Sequence, residues 1–111
     1  GQPVAAIEAN LREIVRRARA AGARVVLAGM KMPPNYGPDY TRDFEALYVR
    51  LARELALPFI PFLLAGVAAD PQLNQADGIH PTAEGQRRIA ALVADVLQPE
   101  LARLSAAAPR R

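Results

Sequence analysis

The sequence predicts an α/β fold in the order helix, strand, helix, strand, short helix, helix, with its two strands parallel. Three observations carry this. Apolar residues recur at three- and four-residue steps through three long segments, the period of amphipathic helices. Between them lie two short apolar runs, Arg24–Gly29 and Leu57–Phe62, continuous rather than alternating, as in parallel strands covered on both faces. Hydrophobic residues make up 51% of the chain but aromatics only 5%, so the apolar content is mainly Ala, Leu and Val, typical of helices packed on a sheet.

The first helix is expected over Pro3–Ala21. Val4, Ile7, Leu11, Ile14, Val15 and Ala18 form its stripe, Pro3 suits the first turn and Gly22 the stop. Strand Arg24–Gly29 follows. The turn-rich segment from Met30 to Pro38 leaves the C-terminal end of that strand, the edge where open parallel sheets bind ligands. A second helix is carried by Tyr40, Phe44, Leu47, Tyr48, Leu51 and Leu55, with Asp39 or Thr41 as its cap. In Leu57–Phe62, Pro58 and Pro61 confine the second strand to a few ladder bonds. From Phe62 to Ala76, Leu63, Leu64 and Val67 suggest a short helix, and Asp70, Pro71 and Asn74 a loop. The last helix is expected from Thr82, its N-cap, to about Leu97, with Ile89, Leu92, Val93, Val96 and Leu97 buried. Beyond Pro99 an Ala/Arg-rich tail is expected to fray.

Two parallel strands make a poor sheet, because both are edges whose ladder groups and apolar faces need covering. The expectation is therefore the C-terminal half of a larger α/β domain, occupying residues 1–98, with the tail at 99–111. The 111 residues allow one modest core.

The formal charge is +3, with thirteen arginines to one lysine. Such a balance raises nucleic-acid binding. Arg12, Arg16 and Arg19 instead share one helical stripe with Glu8 and are not interleaved with aromatics, so a solvated face is the preferred reading and no nucleic-acid partner is expected. The longest uncharged apolar run, Leu55 to Ala69, is about fifteen residues and broken by Pro58 and Pro61, too short to span a bilayer. There is no cysteine, hence no disulfide framework.

Chemistry concentrates in Asp77-Gly78-Ile79-His80-Pro81, which holds the only histidine. Gly78 permits a tight bend and Pro81 keeps His80 out of the following helix. Such a bend can bring the Asp77 carboxylate to Nδ1 of the imidazole and leave Nε2 facing a cleft, as a general base requires. The alternative is that His80 packs beside the last helix and Asp77 is a turn residue. By average composition an Asp-x-x-His arises in roughly one such chain in ten, so spacing alone does not decide. A metal site lacks a second histidine or any cysteine. A nucleophile is also missing, since the only serine is Ser105, in the Ala-rich tail.

Context does decide. Asp77 to Gln86, reading Asp-Gly-Ile-His-Pro-Thr-Ala-Glu-Gly-Gln, resembles the last sequence block of the SGNH (GDSL-type) hydrolase superfamily. The segment Gly29 to Tyr40, then Phe44, and Leu57–Phe62 resemble its bacterial thioesterase I/arylesterase/lysophospholipase branch, so the likeness covers about residues 3 to 98. It implies a three-layer α/β/α (flavodoxin-like) domain with a five-stranded parallel sheet, of which this chain would hold the last two strands. It also implies hydrolysis of acyl esters or thioesters without metal or cofactor, and leans towards a periplasmic or secreted protein. By that resemblance His80 is the general base and Asp77 orients it, while Met30, Met32, Pro33 and Tyr36 are candidate contacts to the acyl group. The family's Gly-Asp-Ser-Leu block, its oxyanion-hole glycine and its Gly-x-Asn-Asp block have no counterpart here, and neither Thr41, Thr82 nor Asn35 matches them. The expectation is an inactive C-terminal part whose serine, glycine and asparagine lie on a preceding segment. The competing reading is a non-catalytic α/β module completing its sheet with itself or another chain.

Overall fold

The computed structural model describes residues 2–107 and divides after Phe62 into two compact units. The first contains helix α1 (Val4–Ala20), strand β1 (Leu27–Ala28), a 3-10 turn (Pro34–Tyr36), helix α2 (Pro38–Glu54) and strand β2 (Phe59–Ile60). β1 and β2 are parallel, with Leu27 opposite Phe59 and Ala28 opposite Ile60, and α2 is the crossover between them. This is the expected α/β class.

Both strands are shorter than the apolar runs that announce them. Leu27 N–H donates to the Pro58 carbonyl at 2.9 Å and Gly29 N–H to the Ile60 carbonyl at 2.7 Å. Pro58 and Pro61 have no N–H to extend the ladder, so β2 ends at two residues.

The core of this unit joins all its layers: Val15 from α1, Leu27 from β1, Phe44, Leu47, Leu51 and Ala52 from α2, and Leu57 ahead of β2. Leu47 and Leu51 are fully enclosed, each worth about 1.5–3 kcal/mol of burial. The α1 stripe is as expected except at Ile14, which is exposed. Neither Asp39 nor Thr41 caps α2. Its N-cap is Gly37, Pro38 takes the first helical position with its φ already fixed, and the Thr41 hydroxyl turns back to donate to the Gly37 carbonyl at 2.6 Å.

The arginine stripe of α1 is only partly a solvated face. Arg16 pairs with Glu13 on its own helix, but Arg12 reaches Glu54 of α2, and Arg19 donates to the Leu55 carbonyl at the C-terminal end of α2. Arg50 of α2 returns to Glu8. Long guanidinium arms thus staple the two helices at their rim.

In the second unit, residues 63–73 form consecutive hydrogen-bonded turns rather than a short helix, with the Leu64 carbonyl accepting from both Val67 and Ala68 N–H at 2.9 Å. Helix α3 then runs Ala83–Ala107, straight through Pro99. The expected end at Leu97 and fraying tail do not hold through Ala107, because Leu, Ala, Arg and Glu on both sides of the proline are strong helix formers and Glu100 pairs with Arg103. Residues 108–111 of that tail lie outside the described residues. Ile89, Leu92, Val93 and Val96 are half-buried and Leu97 is exposed, so the α3 stripe is less enclosed than its periodicity suggests.

Candidate active site

The second unit builds the Asp77–His80 loop from its base upward. Thr82 N–H donates to the Leu73 carbonyl and Gln75 N–H to the His80 carbonyl, both at 2.8 Å, with Asn74 opposite Pro81 as an antiparallel bridge. Beyond that base, Gly78 at φ +70° makes the bend, its N–H held by the Gln75 carbonyl at 2.9 Å. A side chain would strain that conformation.

Inside the loop one carboxylate does two jobs. Asp77 Oδ1 accepts the N–H groups of Ile79 at 2.9 Å and His80 at 3.0 Å, which fixes the backbone. Asp77 Oδ2 stands 2.5 Å from His80 Nδ1, which fixes the ring. The His80 side-chain hydrogen bond, and behind it the two backbone N–H groups, hold the Asp77 carboxyl well below the usual carboxylate range. Asp77 is therefore an anion throughout the neutral range. The His80 side chain is 70% exposed, so the ring is held at one nitrogen and open to solvent elsewhere. Pairing Nδ1 with a carboxylate makes Nδ1 the protonated nitrogen of the neutral ring and leaves Nε2 able to accept a proton.

Immediately after His80 the chain turns into α3 as expected: Thr82 is its N-cap, with Gly85 N–H donating to Thr82 Oγ1 at 3.2 Å. Leu73, Asn74 and Gln75, which form the loop's base, carry no motif, and of them only Asn74 reads from sequence as a loop former.

Met30, Met32, Pro33 and Tyr36 all belong to the first unit. Met30 and Met32 are half-buried and packed against its core. Pro33 is exposed ahead of the 3-10 turn, and Tyr36 is 45% exposed with its ring stacked on Tyr40 at 5.8 Å. An open groove of about 1030 Å³ lies along α2 and includes Pro34, Pro38, Ala46 and Val49, but not Met30, Met32, Pro33 or Tyr36. Among the described residues no three His, Asp or Glu side chains converge as metal ligands would. No described helix is long and apolar enough to cross a membrane.

Residues 1–88 match the GDSL-like lipase/acylhydrolase family. The chain belongs to that family. It is 40% identical over 101 residues to Esterase TesA of Pseudomonas aeruginosa, covering 91% of this chain and 50% of the relative. To Thioesterase 1/protease 1/lysophospholipase L1 of Escherichia coli K12 it is 41% identical over 92 residues, covering 83% of this chain and 44% of the relative. This family member thus spans about half the length of the curated relatives it matches. A crystal structure of the psychrotrophic esterase EstA from Pseudoalteromonas sp., inhibited by monoethylphosphonate, superposes with a TM-score of 0.84 at 29% identity over 91% of this chain and 55% of that one. The fold is that of the GDSL-type hydrolases over about half their length.

Proposed function

We propose that residues 1–98 are the C-terminal part of a GDSL-type serine ester hydrolase acting on acyl esters or thioesters, in which His80 is the general base and Asp77 its orienting partner. The observation that carries this is the contact of Asp77 Oδ2 with His80 Nδ1 at 2.5 Å on a loop that the same carboxylate braces. Membership of an acylhydrolase family and likeness to an esterase and a thioesterase support the reaction class.

In the proposed reaction a serine on a preceding segment attacks the acyl carbonyl while His80 Nε2 takes its hydroxyl proton. The imidazolium so formed is stabilised by the Asp77 anion, then returns the proton to the departing alcohol or thiol. A water repeats the cycle to release the acid. Donors on the same preceding segment, a glycine and an asparagine in the family pattern, hold the oxyanion. Met30, Met32, Pro33 and Tyr36 are the proposed acyl contacts; Pro33 and Tyr36 are exposed, whereas Met30 and Met32 pack partly against the core.

The test is direct. Residues 1–111 alone are expected to give no esterase turnover and no labelling by a serine-directed phosphonate, while addition of a hydrolase segment carrying the serine restores both and His80→Ala abolishes turnover. Stoichiometric phosphonate labelling of the 111 residues at a single nucleophile would overturn the assignment. Restored phosphonate binding with no effect of His80→Ala would instead favour the non-catalytic module.

A further inference from the structure

The exposed loop from Gln75 to His80 is anchored by one buried polar side chain. Asn74 is 8% exposed, and its Nδ2 donates to the Val67 carbonyl at 2.7 Å and to the Asp70 carbonyl at 2.9 Å. A carboxamide nitrogen carries two protons, and both are used. The backbone on either side of Asn74 carries the two bonds that close the loop, Gln75 N–H to the His80 carbonyl and Thr82 N–H to the Leu73 carbonyl. Asn74 therefore ties the chain segment bearing His80 to the turn 64–70, whose Val67 is completely enclosed.

We infer that Asn74 is a positioning residue for His80, its side-chain amide fixing the angle at which the Asp77–His80 loop leaves the fold. The catalytic meaning rests on the reading of His80 as general base; the mechanical part stands on the hydrogen bonds alone. A leucine would fill the same space, but the Val67 carbonyl would keep only the 3.2 Å bond from Asp70 N–H and the Asp70 carbonyl only the 3.1 Å bond from Leu73 N–H. The Val67 carbonyl in its buried bond and the Asp70 carbonyl in its part-buried one each lose a second partner, at a cost comparable to a lost hydrogen bond. The loop beyond the base has no other buried side chain to resist a pivot. A displacement of about 1 Å at a reacting group can cost on the order of 100-fold in rate, so a small pivot at Asn74 reaches the chemistry.

Two measurements test this. Asn74→Asp keeps the shape, removes both donors and sets carboxylate oxygens against two carbonyls. In the ester-hydrolysing protein that contains these residues, N74D should lower kcat about 10- to 100-fold with KM changed less than about twofold. Because the Asp77–His80 contact lies within the loop, the loss should come from placement of the pair and not from its breaking. Wild-type kcat in N74D overturns the inference. The second measurement needs no variant: in the 15N-labelled wild-type chain, the Asn74 side-chain NH2, Gln75 N–H and Thr82 N–H should exchange with solvent at matched protection, as one opening unit. Gln75 and Thr82 exchanging about tenfold or more faster than the Asn74 amide also overturns it. Failure of these residues to support ester hydrolysis when joined by the serine-carrying segment defeats the hydrolase reading, while the exchange result still decides whether Asn74 holds the loop.

Discussion

A Cβ built on Gly85 would stand 2.4 Å from the carbonyl oxygen of Leu73, the oxygen that accepts the Thr82 N–H at the base of the His80 loop. The same Cβ would lie 3.0 Å from the Pro81 Cβ and 3.3 Å from Val67 Cγ1. The first turn of α3 therefore presses on the loop base through a residue that has no side chain.

This fixes the sign of one substitution. Helix propensity alone would have Gly85→Ala stabilise α3 by about 1 kcal/mol. The contact with Leu73 is backbone and cannot rotate away, so overpacking should win and G85A should destabilise by about 1–3 kcal/mol. Urea unfolding of G85A beside wild type measures it. A more stable variant would show that α3 can shift without disturbing Leu73.

Asp77→Asn separates the two jobs of the carboxylate. An asparagine oxygen can still accept the Ile79 and His80 N–H groups, so the loop should keep its shape. Its NH2 would face His80 Nδ1, however, favouring the tautomer with the proton on Nε2, where a base needs a lone pair. With the hydrolase active, kcat/KM should fall about 10³- to 10⁴-fold with little change in KM. Asp77→Ala should lose the loop bracing as well, and show faster exchange of the Ile79 and His80 N–H groups than D77N. Equal activity of D77N and wild type would remove Asp77 from the mechanism.

Acid should weaken the helix pair of the first unit through Glu8. Hydrogen bonds from Arg50 and then Arg12 lower the Glu8 pKa from 4.5 to about 2. A folded-state pKa below the unfolded one means the contribution is complete above about pH 5 and is lost as pH falls towards 2. The Glu8 side chain is 18% exposed, and rim pairs are screened, so about 1 kcal/mol is the expected size. Thermal melts at pH 6 and pH 3 should differ more for wild type than for Glu8→Gln, and about 1 M salt should narrow the gap. Identical pH dependence of the two proteins would show that the staple contributes nothing.

The parts of the fold legible in the sequence are those set by periodicity. The stripe of Tyr40, Phe44, Leu47, Tyr48, Leu51 and Leu55 lies along α2, buried or half-buried, because an amphipathic helix has one way to hide it. Strand length was less legible: the apolar run Leu57–Phe62 marks the strand, but the missing N–H groups of Pro58 and Pro61 decide its two-residue extent. Pro99 misleads in the opposite sense, since neighbouring helix formers carry α3 past it. In the candidate site, the spacing of Asp77 and His80 allowed a local contact, and the resemblance of the surrounding block singled the pair out. Asn74 could not be singled out, because its partners Val67 and Asp70 belong to a turn whose path no periodicity specifies.

The end of α2 offers a test of backbone strain. Leu57 N–H donates to the Ala52 carbonyl at 2.9 Å, the bond that closes a Schellman motif, and Ala56 therefore sits at φ +51°. That conformation costs a non-glycine residue about 1–2 kcal/mol, while glycine adopts it freely. Glycine gives back about 0.4–1 kcal/mol through the greater freedom of its unfolded chain. Ala56 is exposed, so its methyl group contributes little packing to set against the relief. Ala56→Gly should therefore stabilise by about 0.5–1 kcal/mol, and Ala56→Val should destabilise by more, since a β-branched residue tolerates positive φ less well. Paired melting curves of the two variants check the sign of both, and a destabilised A56G would mean that the freedom glycine adds to the unfolded chain outweighs the strain it relieves.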